Sequence, residues 1–165
     1  MMFSSGVLFV SKNLLRLVGY CGLYCGLCAH RNRIPRRAEL LRETLHEEGM
    51  DSWYKFIPSM KKTFPVFWKF LDELTNMDCT CRTGGGPPDC KIRVCAKEKG
   101  VDICPLCDEY PCNLINGLAE HYVMAIRDGK RLRKIGLEAW VKEQEARAKR
   151  GVVYADTRIP WERET

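Results

Sequence analysis

Ten cysteines are the residues in this chain best suited to chemistry. Three of them, Cys21, Cys25 and Cys28, stand in "GYCGLYCGLCAHR" (residues 19–31) as C-x3-C-x2-C. Seven more follow as Cys79-x-Cys81-x8-Cys90-x4-Cys95-x8-Cys104-x2-Cys107-x4-Cys112. The spacing C-x2-C occurs twice, at Cys25/Cys28 and Cys104/Cys107, each time enclosing a glycine or a proline. Two thiolates on one short turn can be aimed at a single point while the intervening amides donate hydrogen bonds to them. Two such pairs with six further cysteines predict metal binding, with all ten thiols as candidate ligands.

The cysteines form two close groups of three, Cys21/Cys25/Cys28 and Cys104/Cys107/Cys112, each needing a fourth thiolate to close a four-coordinate shell. Cys79, Cys81, Cys90 and Cys95 are the candidates to supply it. Cys90 and Cys95 are favoured, being joined by the short stretch KIRV. Zinc in four-thiolate sites is the expected metal, with a structural or adaptor role. The alternative is a [4Fe–4S] cluster in a redox or electron-transfer protein working with an oxidoreductase, because clusters often take a close triplet and a distant fourth cysteine. C-x3-C-x2-C also resembles the cluster motif of radical S-adenosylmethionine enzymes. Those rest on a partial β/α barrel, whereas the segment after Cys28 reads as helix. A thioredoxin-like role for Cys25-Gly-Leu-Cys28 lacks a surrounding βαβ pattern.

An even cysteine count raises the possibility of a disulfide framework. The apolar run Val7–Val10 is short, and Lys12 and Arg16 place charges just after it, so no export signal is read and a reducing cytoplasm is expected. No run approaches the ~18–20 apolar residues of a membrane span. With 165 residues, 45% hydrophobic and 29% charged, the chain fits one domain with a core of its own. The net charge of +6 gathers at 31–37, 127–134 and 142–150. A solvated charged surface accounts for this better than a nucleic-acid interface, and an unidentified protein partner is left open.

The elements that must position the thiols are helical. Residues 1–17 read as an N-terminal extension and 18–165 as one cysteine-rich domain. Ala38, Leu41 and Leu45 share a helical face over 36–49, closed by Gly49. Pro58 and Pro65 divide an aromatic stretch over 51–76 into short helices, and its Trp53, Phe56, Phe64, Phe67, Trp68, Phe70 and Leu71 are expected in the core. From Asp78 to Cys112 no long periodicity survives, and Gly84–Gly86 with Pro87 and Pro88 read as loop. Leu114, Leu118, Tyr122, Ala125 and Ile126 form an apolar stripe ended by Gly129; Leu132, Ile135, Trp140 and Val141 form another ended by Gly151. The tail from Gly151 is expected to pack as a strap. The expected fold is mostly α, a helical domain with an irregular cysteine-rich metal-binding centre. His30, His46 and His121 are dispersed, although His30 could replace a thiol. Asp108 and Glu109 read as surface groups or as support for the ligands, and no catalytic set is recognised.

Three strings, "YCGLYCGLC", "GGGPPDCKIRVCAKEKGVDICPLCDEYPC" and "IGLEAWVKEQEARAKRGVVYADTR", together resemble the bacterial and archaeal family called Domain of Unknown Function 3795. The resemblance runs from about Val18 to Arg158. It differs at Cys79-Thr-Cys81, one residue tighter than the family's usual C-x2-C ahead of the glycines. It implies a cytoplasmic metal-binding protein and assigns no reaction.

Overall fold

A computed structural model describes residues 12–157 of the chain. Eight α-helices carry the architecture, and no β-strand forms among the described residues. They are α1 (Lys12–Leu15), α2 (Arg33–Glu47), α3 (Met50–Trp53), α4 (Thr63–Thr75), α5 (Lys91–Glu98), α6 (Asn113–His121), α7 (Ala125–Ile135) and α8 (Leu137–Lys149). Of the expected N-terminal extension, residues 1–11 lie outside the described part. Leu15 at the end of α1 is buried in the main core.

That core is built by segments far apart in sequence. Leu15, Val18, Tyr24 and Leu27 meet Ile103, Leu132, Trp140, Val141 and Tyr154. Tyr24 packs edge-on against Trp140 with ring centroids 6.2 Å apart. Its backbone N–H donates to the Tyr154 hydroxyl at 2.9 Å. The tail is therefore a strap as far as residue 157, and residues 158–165 lie outside the described part. A smaller second core gathers Ala96, Cys104, Tyr110 and Ile115, with Cys21, Cys107 and Cys112 packed against it. The cysteines thus border apolar packing and are not confined to loops.

The aromatic stretch departs from expectation. Helices α2 and α4 pack side by side, and Phe64 is sandwiched by Tyr54 at 4.6 Å and Trp68 at 5.5 Å. Only Phe64 and Leu71 of the aromatic-rich set are buried, whereas Phe56 is 83% exposed and Phe70 56%. Trp53, Phe67 and, on α2, Leu40 and Leu41 are exposed as well. Two helices laid against each other bury one stripe apiece, and seven large apolar side chains exceed what one stripe can cover. Pro65 does not divide α4 but sits in its first turn, where its missing N–H costs nothing.

Two further expectations are corrected. The segment 78–112 contains α5, too short at eight residues to show a sustained apolar period. Gly129 does not end a helix but lies inside α7, and the chain breaks at Gly136 with φ +80°. Gly129 answers a packing demand: a Cβ there would overlap the Tyr110 hydroxyl oxygen.

Candidate metal centres

The first cysteine group is made by a tight loop. Val18 and Tyr24 form an isolated antiparallel bridge, Gly19 N–H donates to Leu23 C=O at 2.8 Å, and Cys25 N–H donates to Leu17 C=O at 2.6 Å. Cys25–Leu27 then forms a single 3₁₀ turn closed by Cys28 N–H on Cys25 C=O at 3.0 Å. Cys104–Leu106 repeats this turn, with Cys107 N–H on Cys104 C=O at 2.9 Å. In both, an extended residue precedes the first cysteine and the second cysteine returns to extended backbone. The C-x2-C pairs are therefore two copies of one local device.

Around Cys25 the fold brings Cys28, Cys79 and Cys81. Burial raises the Cys25 thiol pKa above its ordinary value, and the nearby Cys81, Cys28 and Cys79 raise it further. A backbone N–H of Cys81 donates to the Cys25 sulfur and opposes that rise. Cys79 and Cys81 are held by a 3₁₀ turn at Cys81–Thr83, capped where the Thr80 hydroxyl accepts from Thr83 N–H at 3.2 Å. The loop returns so closely that a Cβ on Gly85 would overlap Cys79 Sγ and lie 2.7 Å from the Thr80 carbonyl oxygen.

The second group is Cys95, Cys104, Cys107 and Cys112. All four line one cavity of about 250 Å³ with Ala96, Lys99 and Tyr110 among its other walls. Burial is the largest influence on Cys104, followed by Cys112, Cys107 and Cys95, and together they push its thiol up to about 12. The Tyr110 hydroxyl, also pushed up to about 12 chiefly by burial, donates to Ala125 C=O at 3.0 Å. Cys95 comes from α5 and Cys112 is the N-cap of α6, so two helices and a turn converge here.

The two groups are docked against each other. Cys104 N–H donates to Tyr20 C=O at 2.7 Å, and Gly22, at φ +86°, leaves room for Pro105 where a Cβ would stand 2.5 Å from its ring. Cys21 lies between them. Burial pushes its thiol up to about 12, with Cys81, Cys104 and Cys25 adding to the rise and the Leu23 backbone N–H opposing it. Two arginines tie the junction. The Arg82 guanidinium stacks 4.0 Å from the Tyr20 ring centroid and donates to Val18 C=O at 2.9 Å and Asp102 C=O at 2.6 Å. Arg133 donates to the Pro105 and Cys107 carbonyls. Neither arginine carries a signal in the sequence, since each reaches backbone carbonyls at least twenty residues away.

All ten cysteines are free. Cys79 and Cys81, rather than Cys90, are the ones beside Cys25; Cys90 is the N-cap of α5. Among the described residues, no three His, Cys, Asp or Glu side chains are arranged so that they could hold a metal ion as they stand. His30 is exposed, His46 pairs with Asp51 at 2.6 Å, and Glu109 pairs with Lys99. Of the basic stretch at 127–134, Arg131 pairs with Glu143 and Arg133 serves the Cys104–Leu106 turn, so much of its charge is answered within the fold. No helix among the described residues is long and apolar enough to cross a membrane.

The family described as Protein of unknown function (DUF3795) matches residues 17–117, from the start of the first cysteine loop into α6. The chain belongs to this family. The matched region holds all ten cysteines of this DUF3795 protein and both turns that carry its C-x2-C pairs. Searches of curated proteins and of solved structures each found no match.

Proposed function

We propose that this DUF3795 protein is a thiolate metal-binding protein with two four-cysteine centres, one from Cys25, Cys28, Cys79 and Cys81 and the other from Cys95, Cys104, Cys107 and Cys112. The observation that carries the reading is this grouping itself: each C-x2-C turn is joined by two further cysteines, Cys79 and Cys81 from distant sequence at the first and Cys95 and Cys112 from the flanking helices at the second. At the first centre zinc suits the packing, because Gly85 lies against Cys79 and the Cys81 N–H already donates to the Cys25 sulfur. A coordinated cation reverses the local pKa order, since thiols that burial keeps protonated lose their protons to a metal. The role is structural: the metals hold loops that join α5 and α6 to the main core and present the molecule to a protein partner. Ten free thiols fit a reducing compartment such as the cytoplasm.

Single Cys→Ser variants with metal counted per chain test the assignment. Cys25→Ser and Cys79→Ser should each empty the first centre and spare the second, and Cys107→Ser should do the reverse. Cys90→Ser should keep both. Full retention in Cys25→Ser and Cys107→Ser together would refute the reading.

A further inference from the structure

The space that the second four-cysteine group encloses bears on what it takes. Zinc needs no cavity. Its thiolates converge on a single ion at ~2.3 Å, so the sulfurs themselves fill the site. Cys95, Cys104, Cys107 and Cys112 instead stand around an open space of about 250 Å³, roughly eight times the volume a water takes in the liquid. A cubane cluster asks for that arrangement, because each thiolate bonds a different iron at a different corner.

The walls suit an anionic occupant. Cys112 caps α6, and its carbonyl accepts from Ile115 N–H at 3.0 Å and Asn116 N–H at 2.9 Å. The N–H groups of Asn113 and Leu114 are thereby left as the unpaired donors of the first turn, and both residues line the cavity. An unpaired first turn at a helix N-terminus favours negative charge. Lys99 and Glu109 line the same wall as an ion pair, and Val101, Ala96 and Leu114 supply apolar lining. A second cavity, beside α7 and α8, has no thiol, and the ion pairs Arg147–Asp128 and Arg131–Glu143 occupy its lining.

We infer that Cys95, Cys104, Cys107 and Cys112 bind a [4Fe–4S] cluster, each thiol giving up its proton to bond one iron, while the first group holds zinc. This rests on the two-centre reading above and goes on to name the occupant of the second centre.

The test is full-length protein purified anaerobically, reconstituted with ferric iron, a thiol reductant and sulfide, and assayed for iron, acid-labile sulfide and zinc. The expected result is about four irons and about four sulfides per chain together with zinc, a broad visible absorption, and an electron paramagnetic signal after dithionite reduction. Cys112→Ser and Cys95→Ser, both at partly exposed positions, should lose most of the iron and sulfide and keep the zinc, and Cys90→Ser should keep all three. Zinc at both centres with no iron or sulfide after reconstitution would overturn the cluster and leave the two-centre reading standing. Iron lost equally from Cys90→Ser and Cys112→Ser would overturn the assignment of these ligands. No metal of any kind would overturn both.

Discussion

At the scale of single residues, three glycines differ in what surrounds them, and so in what an added methyl group does. Gly117 lies inside α6, and a Cβ added there would meet nothing within 4 Å; Gly117→Ala should stabilise the protein by about 0.5–1 kcal/mol through helix propensity. Gly129 is equally helical, yet its Cβ would strike the Tyr110 hydroxyl and crowd Pro105 at 3.2 Å. Gly129→Ala should therefore destabilise despite the same gain in propensity, and should disturb the second centre through Pro105 and Tyr110. Gly85→Ala meets Cys79 Sγ and the Thr80 carbonyl, with no slack on the backbone side; it should lower metal occupancy at the first centre only. Denaturant midpoints and metal counts for the three variants check this. Equal effects from all three would mean that these contacts do not shape the centres.

At the scale of elements, the cysteine turns and most helices were legible from sequence, because each rests on a local rule. C-x2-C around glycine or proline makes a turn wherever it occurs, and apolar spacing marks α2 and the helical character of 114–149. The two stripes there nevertheless run across the breaks after His121 and at Gly136 that divide α6, α7 and α8. What was not legible depends on distant partners. Gly129 reads as a helix end until Tyr110, nineteen positions earlier, fills the space beside it. The aromatic stretch reads as core because composition does not tell which stripe of a helix is covered. Phe64 and Leu71 are covered on α4, and Phe70 between them is not. The same contrast fixes a prediction. Phe70→Ala should cost about 1 kcal/mol or less, as at a surface site, and Trp140→Ala, fully buried in the main core, about 3–5 kcal/mol. Chemical unfolding of the two variants measures the difference. A comparable loss at Phe70 would mean that the α2–α4 layer is covered in solution by something beyond the described residues.

At the scale of the whole molecule, the cysteine groups sit at the seam between the two apolar cores. Ile103 belongs to the larger core and its neighbour Cys104 to the smaller. Tyr20 C=O, Pro105 and the two arginines Arg82 and Arg133 lace the seam together. Metal at this position couples the cores, since ligand convergence and folding share one free energy. Cys21 and Cys90 fall outside both proposed quartets, which makes the thiols themselves the most direct reporters of the arrangement. The decisive measurement is alkylation of the native, metal-loaded protein by iodoacetamide, read by peptide mass spectrometry before and after exhaustive chelation under anaerobic conditions. Cys90 should label before chelation, and the eight thiols of the two quartets should label only after it, with metal released in step. Labelling of the quartet thiols that is the same with and without chelator, or protection that persists until a disulfide reductant is added, would contradict two thiolate metal centres.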